Sequence, residues 1–181
     1  MKPLLLAFIF VSTVSFAQEN SVCDILKSKS VSFRSHNSND ILEISVSGNS
    51  CLEAALRITL KTEQGSLIYN YESDYKRHFV LYGDEEEFGH RALRHVEKMV
   101  MHAIRPSSKL PDSSYVCFSG EGNCNYVEHS TLSLGQYKQI KSLNVPVLFH
   151  STNHECGFAY IFDAGSKNAV KILEWCPWNA P

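Results

Sequence analysis

The sequence has no long run of like charges, no proline- or glycine-rich segment and no repeat of solenoid length. Its 181 residues include only nine glycines and six prolines, and the formal net charge is −2. Disordered, collagen-like and repeat-array proteins are therefore excluded. The near-neutral charge also argues against a dedicated nucleic-acid-binding protein, which usually carries a strongly basic face.

The common catalytic motifs are also missing. The sequence contains no phosphate-binding loop, no dinucleotide-binding glycine pattern, no nucleophile elbow, no His-Glu-x-x-His motif and no Cys-x-x-Cys pair. What it does have is a hydrophobic fraction of 44%, enough to bury the core of one ordinary domain. These features favour a non-catalytic globular protein without a cofactor.

The first 17 residues resemble an export signal. Lys2 precedes an apolar run over residues 4–11, and Ser15 and Ala17 form a small-x-small cleavage site. The apolar run is shorter than the roughly 20 residues of a membrane-spanning helix, and no later segment is longer. We therefore expect a cleaved signal peptide over 1–17, a single domain over 18–181, a periplasmic or extracellular location and no transmembrane segment.

All six cysteines follow this predicted signal, in a chain expected to be exported. An even number of cysteines in an oxidising compartment indicates disulfide bonds. Predicted hairpins place Cys156 opposite Cys176 and Cys117 opposite Cys124, within the distance that a disulfide spans. By elimination, the remaining pair is Cys23 and Cys51.

Metal binding is the alternative use of these cysteines. One candidate set combines Cys117 and Cys124 with His129, and another combines His150 and His154 with Cys156. Neither set has the closely spaced cysteine pair that is usual in zinc sites, and exported thiols tend to oxidise. We therefore predict structural disulfides and no metal.

Alternating apolar and polar residues predict strands over 41–48, 54–60 and 66–71, with a fourth strand over 76–82. Short turns join them, which is typical of an antiparallel meander. Two further pairs of strands are predicted, over 115–118 and 123–126 and over 157–162 and 169–175; a single strand covers 147–150.

Two helices interrupt the strands. The first is predicted to begin at Asp84 as N-cap and to end at Arg105 and Pro106. Ser133 and Gln136 form a capping box for the second, which ends near Asn144. The order of elements predicts an α+β fold in which an antiparallel sheet carries both helices on one face and disulfides brace the chain.

Candidate catalytic residues lie between the last strands. His150, His154 and Glu155 combine two imidazoles with a carboxylate, which suits general acid–base chemistry. The alternative is a polar connection without catalytic function. His95 and His102 share a face of the long helix, too far apart for one metal ion, and are interpreted as residues at the edge of its apolar stripe.

Candidate binding residues lie at the tip of the predicted 115–126 hairpin and in the tail. Ser119, Glu121 and Asn123 would project from a disulfide-braced turn, which suits insertion into a partner's cleft. Trp178 beside Cys176 could form a contact surface for a protein or a glycan. Each also has a plainer interpretation, as an ordinary turn and as a cover for the core.

Three functions remain open at this point. The first is a monomeric, exported binding or inhibitor-type protein with a protein or glycan partner in the envelope or medium. The second is a small secreted hydrolase that uses His150, His154 and Glu155. The third is a structural or assembly component. The rigid scaffold and the missing catalytic motifs favour the first function.

Overall fold

The computed structural model describes residues 23–78, 85–119, 128–151 and 156–176, and these residues form a mixed α+β fold. The predicted α+β class is confirmed. The strands and helices are β1 (Cys23–Val31), β2 (Asp40–Gly48), β3 (Ala55–Lys61), β4 (Leu67–Asp74), α1 (Glu85–His102), β5 (Ile104–Pro106), β6 (Val116–Phe118), β7 (Glu128–Ser130), α2 (Leu134–Leu143), β8 (Pro146–Ser151), β9 (Gly157–Asp163) and β10 (Asn168–Trp175).

The first sheet is an antiparallel meander in the order β1-β2-β3-β4. β2 and β3 alternate between buried and partly exposed side chains, as their sequences predict, with Leu42, Ile44 and Val46 on the buried face of β2. β1 was not predicted, because as an edge strand it buries few side chains and its polar residues obscure the alternation.

The predicted fourth strand over 76–82 is wrong at its start. The chain forms a 3-10 turn over Tyr75–Arg77, while residues 79–82 lie outside the described part of the chain. β4 instead continues from the third predicted strand and ends at Asp74. The turn is anchored because Tyr75 is fully buried, and its amide donates a hydrogen bond to the carbonyl oxygen of Ala54.

The long helix α1 packs across β1 and β2 through an apolar stripe. The stripe contains Phe88, Ala92, Val96 and Val100, which recur at helical spacing and are all buried. The predicted N-cap, Asp84, lies outside the described residues. At the other end, the Arg105 side chain donates a hydrogen bond to the His102 carbonyl oxygen, one of the groups that a helix C-terminus leaves without a partner.

The second sheet has six strands in the order β5-β8-β9-β10-β7-β6 and is mixed. The sequence predicts one sheet, whereas the strands divide between two. β6 pairs in parallel with β7, and Cys117 lies opposite His129. The predicted antiparallel partner of β6, residues 123–126, lies outside the described part of the chain.

The second helix, α2, begins with the predicted capping box. The amide of Gln136 donates to the Ser133 hydroxyl, and the Gln136 side chain accepts from the Ser133 amide. The helix ends where Asn144 adopts the left-handed conformation, with φ 55°. Tyr137 is fully buried and donates a hydrogen bond to the carbonyl oxygen of Pro111, which lies between two 3-10 turns.

The register of the C-terminal hairpin, β9 and β10, agrees with the prediction at one end and differs from it at the other. A regular hairpin with Cys156 opposite Cys176 would pair Phe162 with Val170 and Tyr160 with Ile172. Next to the turn, Phe162 instead lies opposite Ala169 and Tyr160 opposite Lys171, so the predicted register is wrong there by one residue. An irregularity at Ile172 then shifts the register. Beyond it Gly157 lies opposite Trp175, which is the predicted alignment and brings the next two residues, both cysteines, together.

Two of the three predicted disulfides are confirmed, and both have Cα atoms close enough for a bridge. Cys23 and Cys51 are bonded with Cα atoms 4.9 Å apart, and Cys156 and Cys176 with Cα atoms 4.2 Å apart. Cys117 also belongs to a disulfide, but its predicted partner, Cys124, lies outside the described residues. Within the described part of the chain no cysteine is a free thiol.

Two apolar cores hold the elements together. The larger core is shared by the first sheet, α1 and one face of the second sheet, which contributes Leu148, Tyr160 and Phe162. The smaller core lies between the other face of the second sheet and α2, where Tyr137 packs near Val147. The sequence predicts that both helices pack on one face of a sheet. In the structure, α1 packs on the larger core and α2 on the smaller core. Neither of the helices in the described ranges is long and apolar enough to cross a membrane.

Candidate functional site

A cavity of about 290 Å³ lies where α1 meets the inner face of the first sheet and the end of β8. Its volume is at the lower end of the range for small-molecule sites. The apolar residues that line it come from five strands and helices and from the residue after α1, and they are Ile44, Ile58, Met99, Ala103, Leu148, Phe149 and Trp175. Four histidines, two cationic side chains and Ser151 complete the lining.

One face of α1 supplies three of the polar side chains that line the cavity. His95, Lys98, Met99 and His102 follow the i, i+3, i+4, i+7 spacing that puts side chains on one side of a helix. They lie at the edge of the apolar stripe, where the sequence places His95 and His102. The structure turns this edge towards the cavity, because β8 packs beside the C-terminal end of α1 and the Phe149 amide donates to the Ala103 carbonyl oxygen.

His150 is the most deeply buried polar side chain of the cavity, with 3% of its surface exposed. It lies on β8, and its Nδ1 atom is 2.8 Å from the hydroxyl of Tyr69 on β4. The ring of Tyr71 contacts the imidazole at a centroid distance of 4.0 Å. Burial, helped by the neighbouring His78, lowers the pKa of His150 to about 3, so the imidazole is neutral at physiological pH.

His78 forms the second buried imidazole, 5% exposed. Its Nε2 atom is 2.6 Å from the hydroxyl of Ser73, and its ring lies nearly parallel to that of His150 at 6.2 Å. Burial lowers the pKa of His78 to about 4. A backbone contact with Ser151 acts in the opposite direction and raises this pKa, while His95 and Arg77 lower it further.

The two imidazoles share an unusual feature, since each has one nitrogen anchored and one nitrogen without a partner. Nδ1 of His78 and Nε2 of His150 are inaccessible to solvent, and in the described part of the chain neither has a hydrogen-bond partner. Ser151 lies near His78 but forms no hydrogen bond of ordinary geometry with Nδ1. Buried polar atoms of this kind are rare and destabilise the folded state by about 1–3 kcal/mol each.

His95 contacts Tyr75, the buried residue of the 3-10 turn that precedes His78. Its Nδ1 atom is 3.0 Å from the hydroxyl of Tyr75. Burial lowers the pKa of His95, and the ammonium of Lys98 one turn away lowers it further. The cavity therefore contains neutral imidazoles on its inner side at physiological pH.

The mouth of the cavity is cationic. Lys98 and Arg105 both line it and are largely exposed, and across the described ranges neither is paired with a carboxylate. The guanidinium of Arg105 lies 5.2 Å from the centroid of the Phe149 ring, a cation–π geometry. Among the described residues no aspartate or glutamate lines the cavity.

The arrangement suits noncovalent binding better than metal coordination. No three histidine, cysteine, aspartate or glutamate side chains in the described segments are grouped closely enough to hold a metal ion. Unpartnered imidazole nitrogens, apolar walls and unpaired cations at the mouth instead match the usual composition of a small-molecule pocket, which is mostly apolar with a few placed polar groups.

No family model, curated protein or solved structure shows significant similarity to this chain.

Of the predicted catalytic residues, the structure describes only His150, and it places that residue in the cavity. His154 and Glu155 lie outside the described residues, so their approach to His150 remains a prediction. Of the predicted binding residues, Ser119 is exposed at the end of β6, while Glu121, Asn123 and Trp178 lie outside the described part of the chain.

Sequence reasoning missed His78, Lys98 and Arg105 as site residues. The sequence predicts Arg105 only as the end of the first helix, and Lys98 is one of several charged residues on that helix. His78 had no local signal, because its burial depends on β8 packing against the end of β4. The one usable signal was the shared face of His95 and His102, which does point into the cavity.

Proposed function

We propose that the protein is an exported, non-catalytic binding protein that takes a small molecule into the cavity between α1 and β8. The observation that carries the proposal is the pair of buried nitrogens, Nδ1 of His78 and Nε2 of His150, which have no partner in the described part of the chain. Both residues line the cavity. Because both nitrogens are closed to solvent, a ligand donor reaches them only after a small movement of the neighbouring side chains, and the hydrogen bond that it then forms removes an energetic cost that the free protein bears.

The surrounding contacts hold both imidazoles in place before a ligand binds. His150 is fixed by the Tyr69 hydroxyl and the Tyr71 ring, and His78 is fixed by the Ser73 hydroxyl. Because these anchors hold the rings before a ligand arrives, little side-chain entropy is lost on binding.

Export is supported by the disulfides. Two bridges, Cys23–Cys51 and Cys156–Cys176, are compatible with an oxidising compartment. The signal-like segment over residues 1–17 points the same way, and we propose cleavage after Ala17 and function as a periplasmic or extracellular monomer.

Binding is favoured over the alternative, a hydrolase, by the protonation behaviour of the imidazoles. An efficient general base has a pKa near the working pH. Burial lowers the pKa of His150 to about 3 and that of His78 to about 4, so both are weak bases in a neutral medium. The same neutrality suits hydrogen bonding to a ligand.

The test uses indole, a neutral apolar molecule whose single N–H group can donate to an imidazole nitrogen. Calorimetric titration of the oxidised protein is expected to show one binding site. A103L, which adds a larger side chain to a buried residue of the cavity wall, is expected to weaken binding at least tenfold. M99W fills the cavity from a position one turn earlier on the same side of α1 and serves if A103L unfolds too readily.

The matched control is A169L, which adds the same side chain at a half-buried position on β10 that does not line this cavity. It is expected to bind indole like the wild type. No indole binding by the wild type, or equal binding by the wild type and both filled variants, would overturn the proposed function.

A further inference from the structure

We infer that the ligand is a small organic acid, whose carboxylate binds to Arg105 and Lys98 at the mouth while its apolar body enters the cavity. This inference rests on the proposed function and adds the chemical class of the ligand. It depends on the charges at the mouth, whereas the proposed function depends on the buried imidazoles.

The first observation is the position of the Arg105 guanidinium. Its Nε atom donates to the His102 carbonyl oxygen at 2.8 Å, and the guanidinium lies over the Phe149 ring. These two contacts fix the plane of the group and leave its terminal nitrogens without a partner in the described part of the chain. A fixed guanidinium with two free terminal donors matches the geometry of a carboxylate.

The second observation is a local excess of positive charge. Lys98 joins Arg105 at the mouth, and neither is paired with an acid among the described residues, although Glu97, next to Lys98, is bound to Lys27. Cations near a helix C-terminus are favourable in themselves, which explains why they occur at the end of α1. That effect does not explain why both side chains line this cavity, where they are the charged side chains among the described residues and no carboxylate accompanies them.

The third observation is the sharp change of polarity from the mouth inwards. Behind the cations the walls are formed by Met99, Phe149, Trp175, Ile44 and Leu148. Inorganic anions such as phosphate would leave this apolar surface unused. A molecule with an apolar body and one terminal carboxylate matches both regions.

The experiment compares indole-3-acetate with indole-3-acetamide, which has the same shape and a neutral amide in place of the carboxylate. Calorimetric titration of the oxidised wild-type protein is expected to show one site for the acid, with an affinity at least tenfold higher than for the amide. R105Q and K98Q are each expected to weaken binding of the acid about tenfold and to leave binding of the amide within about twofold.

The comparison of two ligands separates the carboxylate contact from a structural effect. Loss of the Arg105–His102 hydrogen bond could disturb the cavity, but such a disturbance would weaken acid and amide alike. K109Q is the matched control, since Lys109 is exposed and does not line this cavity, and it is expected to match the wild type.

The failures of the two proposals are distinguishable. If indole, the acid and the amide bind with similar affinity and R105Q changes none of them, the cavity binds ligands but the carboxylate assignment is wrong. If inorganic phosphate binds as tightly as the acid, the apolar body is unnecessary and the assignment is again wrong. If indole and both derivatives fail to bind, the proposed function is wrong as well.

Discussion

The hydroxyl of Tyr69 lies 2.8 Å from Nδ1 of His150, and this hydrogen bond joins two residues 81 positions apart in the sequence. Tyr69 belongs to the last strand of the first sheet and His150 to β8 of the second sheet. The contact therefore connects the two sheets beside the cavity and fixes one nitrogen of the imidazole while the other stays unpartnered.

Removing the Tyr69 hydroxyl should destabilise the fold. In Y69F both nitrogens of the buried His150 lack a partner, so we expect the free energy of unfolding to fall by about 1–3 kcal/mol. Urea unfolding followed by circular dichroism measures the change. Y71F is the control, because Tyr71 contacts the His150 imidazole through its ring and keeps that contact. An equal loss in both variants would contradict the role of the hydrogen bond.

The buried histidines should make the protein less stable in acid. Burial lowers the pKa of His78 to about 4 and that of His150 to about 3, whereas an unfolded chain binds these protons near pH 6.5. Between pH 6.5 and 4 the unfolded state holds more protons, so its free energy falls relative to the folded state. Each histidine then lowers the free energy of unfolding by up to about 1.4 kcal/mol per pH unit, and neither contributes above pH 7.5.

Urea unfolding between pH 7.5 and 4.5 checks this dependence. H150F removes one of the two buried imidazoles. The slope of its free energy of unfolding against pH should therefore be shallower, by the equivalent of up to one proton taken up on unfolding. H36Q removes a solvent-exposed histidine and should follow the wild type. Identical slopes for H150F and the wild type would show that His150 is not held neutral in the folded protein.

Gly157 should be intolerant of any side chain. A Cβ atom there would collide with the Trp175 ring and lie 2.6 Å from the His150 carbonyl oxygen, and backbone cannot easily move away. G157A should lower the free energy of unfolding by about 2 kcal/mol or more, as expected for overpacking, and should displace Trp175 in the cavity wall. G135A is the control, because a Cβ at Gly135 on α2 meets nothing within 4 Å. Stability of G157A equal to that of G135A would contradict the close packing.

The Cys23–Cys51 disulfide should stabilise the fold by restricting the unfolded chain. Its cysteines are 28 positions apart, a separation for which the chain-entropy relation gives about 3–4 kcal/mol. C23A/C51A should lose approximately this free energy of unfolding under non-reducing conditions, while the bridge between Cys156 and Cys176 stays intact. A loss below about 1 kcal/mol would mean that packing alone holds β1 on the sheet.

The sequence predicts those parts of the fold that local patterns determine. Alternation identifies β2 and β3, and the Ser133–Gln136 capping box marks the start of α2. The Cys156–Cys176 pair was predicted correctly although the register near the turn was wrong, because the irregularity at Ile172 restores the predicted alignment. Such an irregularity depends on packing across the sheet, and no local pattern indicates it.

The candidate site was harder to predict because its residues are brought together by tertiary packing. His78 and His150 are 72 positions apart and become buried only where β4, β8 and α1 meet. The histidine spacing on α1 was recognised, but not the direction in which that face points. Division of the strands between two sheets creates this junction, and hydrophobic periodicity does not distinguish two sheets from one.

The most direct test of the ligand-binding account is the ring nitrogen NMR shifts of His78 and His150, measured without ligand and with saturating indole-3-acetate. The account predicts neutral imidazoles at pH 7 in both states, with Nδ1 of His78 or Nε2 of His150 shifting on binding and the anchored nitrogens nearly unchanged. Indole should give the same pattern in the wild type, and smaller shifts in A103L at the same indole concentration. Charged imidazoles at pH 7, or ring nitrogens unmoved by either molecule at saturation, would contradict the account.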